Sequence, residues 1–343
     1  MLAKELMKRN VIFMWVVAIV FVFLLHGAVP FLMMPTLGQA VWSMGFAESF
    51  AHGAIFSLHA NDFGIPHPAA IAFGLAGVLP ASVFIRFGLH PADAYSITAD
   101  IWLLIAMCSA YKISRSFGAG KSYSLLSAVV WMSSPIIWVH SGYSMLSWGI
   151  ALLSFYFYTA LRLFLIAEET GKISFSSVLL FLFATIISIF MDGYTFMMFA
   201  VGASGILFYS LLTKKSTRST LLRVALPIHI CSFALAYALF VIYIGQASFE
   251  SYPMDFFRGW GVDLTFLIMP TKGILWLADL LKISLHRSDV LYYGDSSVWK
   301  TTFVLPVMII GAVALWNTNK KIKPVLGILV VVLFSFIWLL AHL

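Results

Sequence analysis

Long uninterrupted apolar runs, separated by short polar punctuation, set the pattern of this chain. The runs show no two-residue alternation, so they read as helices and not as the strands of a barrel. A run of about 20 apolar residues crosses the hydrocarbon core of a bilayer as a helix. In lipid every backbone N–H and C=O has to be satisfied internally, which leaves helices or a closed barrel. Nine spans are predicted, at residues 11–33, 94–111, 123–139, 145–166, 174–190, 195–212, 224–245, 301–316 and 325–343. The expected fold class is an all-α polytopic membrane protein with about nine transmembrane helices and with interfacial or re-entrant helices in the first and fourth outer loops. All of residues 1–343 read as a single membrane domain. A helical module at 1–245 carries a large first outer loop at 35–93, and residues 246–343 add a second large outer loop and two C-terminal spans.

Composition sharpens the class. The chain is 62% hydrophobic and 10% charged, against roughly 25% charged in soluble domains, and its mean hydropathy is +0.97. The first run, Val11 to Met34, follows Lys4, Lys8 and Arg9. It is too long for a cleavable signal core, and "HGAVPFLMMP" lacks a small-residue cleavage site. It reads as a retained helix. Cys108 and Cys231 both sit in apolar runs and read as small core hydrophobes, and no metal-ligand spacing exists. "FGAGKS" has Arg115 where a phosphate-binding loop needs its first glycine. Neither a nucleotide nor a nucleic acid partner is expected.

Charge sets the orientation. Lys and Arg gather in short cytoplasmic loops. With the N-terminus inside, the inner segments hold Lys4, Lys8, Arg9, Lys112, Arg115, Lys121, Arg162, Lys172, Lys214, Lys215, Arg218, Arg223, Lys320, Lys321 and Lys323. Of the acids only Glu5, Glu168 and Glu169 lie there. This partition requires that Ala69 to Leu89, which contains Pro80 and Arg86, dips into the outer face and returns. Counting it as a span would invert every later loop.

The polar chemistry therefore falls on one side. In the first outer loop a surface helix is expected from Gly38 to Phe56. Val41, Met44, Phe50 and Ile55 would face the bilayer, with Glu48 and His52 on the opposite face. It leads into "SLHANDFGIPHPAA", which holds His59 and His67 and where Asn61, Asp62, Gly64, Pro66 and Pro68 punctuate the chain into turns. Asp62 suits either a self-bonded turn or a general base. Asp192 in "FMDGYTFM" suits a helix N-cap or a functional acid at membrane depth, with Tyr194 beside it. His140 and Tyr143 occupy the neighbouring turn "WVHSGYSM", and Asp100 lies just inside the second span. In the second large loop Arg258 and Arg287 can meet a phosphate bidentately. The alternative there is ordinary solvated charge on an amphipathic segment, Ile274 to Leu285. Trp260, Trp276, Tyr292, Tyr293 and Trp299 fit an interfacial aromatic belt.

One helix, a long outer loop with an interfacial helix, a Gly/Pro turn and a Pro-led helix returning to the membrane resemble the GT-C superfamily of integral-membrane glycosyltransferases. The elements that carry the resemblance are Gly53, Gly64-Ile65-Pro66, Pro68 and "YKISRSFGAGKSYSLLSAVV", within residues 11–245. The resemblance implies transfer of a sugar from a polyprenyl-phosphate carrier to a glycan or lipid acceptor on the outer face, commonly with inversion. The implied setting is a bacterial inner membrane, with the N-terminus cytoplasmic, the active face periplasmic and membrane lipids as surroundings. It implies a carboxylate base and cations that stabilise the departing phosphate. Where members carry the acid early in the first outer loop, this chain has Gly38 and Gln39, so Glu48, Asp62 or Asp192 is the expected catalytic acid. His59, His67, His140, Tyr143, Tyr194, Arg258 and Arg287 are the expected substrate-binding residues. The reading requires no cofactor and admits a divalent cation.

Two other classes compete. A transporter or lipid flippase would show internal repeats and interrupted helices; no convincing repeat is present, though Pro135 and Pro227 are potential breaks. A non-catalytic scaffold would tolerate Asn at both Asp62 and Asp192.

Overall fold

The computed structural model describes residues 2–34, 39–53, 58–61, 68–134, 137, 145–170, 173–213 and 217–245. Among these all regular structure is helical, and extended pairing is limited to two isolated bridges, Val29 with Met33 and Ala60 with Ala69. The expected spans 301–316 and 325–343 lie outside the described residues.

Helix α1 runs Leu2–His26. Gly27, at φ +66°, ends it. The Ala28 amide bonds back to Phe23 O at 3.1 Å and the Gly27 amide to Leu24 O at 3.1 Å, the paired bonds of a glycine C-cap. Helices α2 (Gln39–His52) and α3 (Leu75–Arg86) follow. Helix α4 (Pro91–Ser116) starts with Pro91 at its first position, and the His90 side chain accepts from the Ala92 amide; both suit a helix start. A tight turn with Gly118 at φ +89° leads to α5 (Lys121–Met132). Then come α6 (Met145–Thr170), α7 (Phe175–Met191) and α8 (Gly193–Thr213). The last described helix, α9, runs Arg218–Ile244. It widens to a π turn at Leu221–Ala225, just ahead of Pro227. A proline inside a helix loses its amide bond and clashes with the carbonyl a turn earlier, and a π turn there keeps α9 continuous.

Four helices are long and apolar enough to cross a membrane: α4, α6 over Met145–Phe164, α8 over Gly193–Leu212, and α9. The apolar part of α1 (Val11–His26) and helix α7 are shorter. The predicted spans 11–33 and 123–139 end early as helices, at His26 and Met132. Residues 69–89 hold only the 12-residue α3. At about 1.5 Å per residue it is too short to cross a ~30 Å core unaided, and it packs on α2 and α4.

Helix α6 is the hub, packing on α4, α7 and α8. It buries Leu152, Tyr156, Leu163 and Phe164. It runs in the same direction as α4: the Tyr95 and Trp148 rings lie 5.1 Å apart, and Ser154 Oγ donates to Ala106 O further along at 2.8 Å. At the far end Lys112 lies 5.5 Å above the Tyr158 ring, and Arg162 Nε donates to Ser177 Oγ at 3.1 Å. These basic side chains thus collect at one end of the bundle. Large apolar side chains of α1 and α9, such as Phe13, Val17, Phe21, Ile230 and Ile242, stay exposed.

One expected orientation is corrected. Val41 and Trp42 of α2 are exposed, but Phe50 is 2% exposed and belongs to the core. Its ring meets Phe46 edge-on at 6.1 Å. The α2–α3 packing gives Phe50 a protein partner, so it does not face outward with Val41.

Candidate functional site

At the end of the bundle opposite the basic cluster, a strap of residues lies across the ends of three helices. Its two arms meet as an antiparallel bridge. The Ala60 amide donates to Ala69 O at 2.8 Å and the Ala69 amide to Ala60 O at 2.9 Å. Tyr243, on the last turn of α9, clasps both arms. Its hydroxyl donates to Leu58 O at 2.9 Å and accepts from the Ile71 amide at 3.1 Å. His59 lies against it, with Nε2 3.4 Å from Tyr243 O and the two rings 5.1 Å apart. Downstream, the Gly74 amide donates to Phe190 O at 2.9 Å, and Phe73 stacks on Phe240 at 5.3 Å. A Cβ on Gly193 would sit 2.6 Å from Phe73 Cζ, so the strap presses directly on the α7–α8 junction.

Each neutral hydrogen bond contributes about 0.5–1.5 kcal/mol net. Tyr243→Phe keeps the ring and removes the donor to Leu58 and the acceptor for Ile71. Native-state hydrogen exchange at the Ile71 amide is expected to quicken roughly fivefold, as an opening free energy lowered by about 1 kcal/mol requires. Unchanged exchange there would show that the hydroxyl does not hold the arms.

Asp192 forms the junction itself. Its extended backbone, at φ −161° and ψ 134°, stops α7. Its Oδ2 accepts from the Thr195 amide at 2.8 Å, and Thr195 Oγ1 donates back to Asp192 O at 3.2 Å. This is an N-cap of α8, so one of the two roles expected for this residue is present. Asp192 is buried. Burial raises its carboxyl above the usual range, opposed by the hydrogen bonds from Thr195 and the Tyr194 amide. Gly149 of α6 lets the junction approach: a Cβ there would lie 2.6 Å from Thr195 Oγ1 and 3.2 Å from Asp192 Cβ.

The other expected site residues divide. Glu48 is exposed on α2. Tyr194 is exposed beside the cap. His59 joins the strap, so the structure brings it to the same end of the bundle as Asp192. Asp62, His67, His140, Tyr143, Arg258 and Arg287 lie outside the described residues. Arg86 donates to Phe50 O at 2.6 Å and Gly53 O at 2.9 Å, placing a cation on the last carbonyls of α2. Among the described residues no three His, Cys, Asp or Glu side chains converge as a metal site.

Sequence reasoning passed over Tyr243 and His229. His229, in "LPIHICSF", has Nε2 3.0 Å from Ser204 Oγ. Phe164, Phe181 and Phe233 surround its ring at 5.9, 6.0 and 4.9 Å. Its Nδ1 is buried without a hydrogen-bond partner. An ionisable residue inside an apolar run was the available signal. Asp100, on α4, is likewise buried with Oδ1 unpartnered.

Comparison with known proteins returns no match, whether to a family model, a curated protein or a solved structure.

Proposed function

We propose that this chain is a GT-C-like membrane glycosyltransferase that moves a sugar from a polyprenyl-phosphate carrier to a glycan or other cell-envelope acceptor on the outer face. The strap is the observation that carries the reading. Between α1 and α4 the chain forms the short helices α2 and α3, and the Ala60–Ala69 bridge, clasped by Tyr243, lies at the end of the bundle that holds Asp192. The basic side chains Lys112, Arg115 and Arg162 lie at the other end. A nine-span chain with a cytoplasmic N-terminus would then present the strap outside, in a bacterial inner membrane. In this scheme Asp62 takes the acceptor's proton, and Arg258 and Arg287 stabilise the departing phosphate. The test is transfer of labelled sugar from a polyprenyl-phosphate donor in membranes, with Glu48→Gln, Asp62→Asn and Asp192→Asn compared at matched expression. No transfer from any donor, or three variants equal to the parent, would sink the proposal.

A transporter or lipid flippase is the second reading, and Asp100 and His229 favour it. Both are buried in span-length helices with a polar atom lacking a partner, and intramembrane ionisable residues often mark a transport path. Asp100→Asn separates the two. Sugar transfer is expected to stay within about twofold of the parent, because Asp100 has no part in the proposed proton transfer. Loss of lipid or solute flux in proteoliposomes with sugar transfer absent from the parent would favour transport.

A further inference from the structure

The turn that follows α1 is built to hold apolar side chains outward. Residues 27–34 read Gly-Ala-Val-Pro-Phe-Leu-Met-Met and carry no charge. The chain closes on itself there, with the Val29 amide donating to Met33 O and the Met33 amide to Val29 O, both at 2.9 Å. Closure forces Phe31 to φ +64°, a left-handed conformation that a bulky side chain rarely adopts. Such strain persists only where the surroundings impose it. Here α4 does so. The Phe31 amide donates to Asp93 Oδ1 at 2.8 Å, and Ser96 Oγ donates to Met33 O at 3.2 Å. The result is a fixed loop in which Phe31, Leu32 and Met33 are 72%, 83% and 47% exposed.

We infer that this turn is a lipid-seated anchor, lodged in the interfacial zone of the bilayer. Depth is the first argument. Asp93 and Ser96 belong to the first two turns of α4, a 26-residue helix apolar enough to cross a membrane. A helix of that length is about 39 Å long, more than the ~30 Å hydrocarbon core, so its first turns stand where acyl chains give way to headgroups. Continuity is the second argument. On one side the turn extends the exposed apolar face of α1, which ends in Phe21 and Leu24. On the other, α2 begins with exposed Val41 and Trp42, and tryptophan favours the membrane–water boundary. An uncharged, rigid apolar projection at that depth matches lipid chemistry, and fixing the loop in advance avoids ordering it on insertion.

The inference stands apart from any enzymatic activity and is tested without it. The full-length chain, with Cys108→Ala and Cys231→Ala, carries a nitroxide at Leu32→Cys in bilayers of phosphatidylethanolamine and phosphatidylglycerol. Paramagnetic relaxation by oxygen is compared with relaxation by a water-soluble nickel chelate, with Leu24→Cys on α1 as the bilayer reference. The expected result is a label at 32 that responds to oxygen and is insensitive to the chelate, as at 24. Met33→Cys repeats the measurement should labelling at 32 disturb folding. Adding Asp93→Ala, which removes the bond to Phe31, is expected to shift the label at 32 toward the chelate. A label relaxed by the chelate in the parent would put the turn in water. A label shielded from both reagents would mean that protein, either a second copy or another part of this chain, covers it. Either outcome overturns the inference.

Discussion

Asp62→Asn is expected to lower sugar transfer by about a hundredfold or more, the scale of a lost general base, while leaving the membrane-inserted fold intact. Two comparisons make that result informative. Glu48→Gln is expected to remain within a few-fold of the parent, because Glu48 is an exposed side chain on α2. Asp192→Asn keeps an oxygen that can accept from the Thr195 amide, and asparagine caps a helix about as well as aspartate. It therefore removes the charge and preserves the cap. Asp192→Ala removes the cap as well and is expected to cost about 1 kcal/mol of stability. Should Asp192→Asn, and not Asp62→Asn, abolish transfer at unchanged thermal stability, the base is the capping residue. The assay reads initial rates over a range of donor concentrations, so a binding defect shows in KM and a chemical defect in kcat.

The largest structural effect is expected at Gly149. An added methyl would lie 2.6 Å from Thr195 Oγ1, 3.1 Å from Thr195 Cγ2 and 3.2 Å from Asp192 Cβ. These atoms belong to short, stiff side chains close to the backbone, so they cannot swing away as the end of a methionine can. Helices α6 and α8 have to separate, or the cap has to break. Overpacking of this kind costs about 1–3 kcal/mol. Gly149→Ala should lower the unfolding midpoint measured in mild detergent, and adding Thr195→Ser, which removes Cγ2, should recover part of the loss. A Gly149→Ala protein as stable as the parent would contradict the close packing of the junction on α6.

Much of the architecture is legible in local pattern. Lipid demands internal satisfaction of every backbone group, so long apolar runs announce helices whatever they pack against. The runs over α4, α6, α8 and α9 match four helices of crossing length. Pro91 and Gly118 signal a helix start and a turn by their own backbone restrictions. Where the basic-loop pattern required a dip at residues 69–89, the structure holds the 12-residue α3. The cap at Asp192 was also readable, because a capping acid bonds the amide three residues on and needs no distant partner.

What periodicity could not supply is the identity of partners far apart in the chain. Phe50 looks like its apolar neighbours on α2, and only the packing of α2 on α3 turns it inward. Tyr243 ends an apolar run like any interfacial tyrosine, yet its hydroxyl joins Ile71 and Leu58, 172 and 185 residues away. The same holds for the strained Phe31 pinned by Asp93. By itself the sequence determined a helical membrane class and a one-sided charge pattern, since hydropathy, charge and capping act within a few residues. The tertiary structure alone decided which side chains clasp the strap, because hydrogen bonds and close packing depend on which helices meet, and that is a property of the assembled bundle.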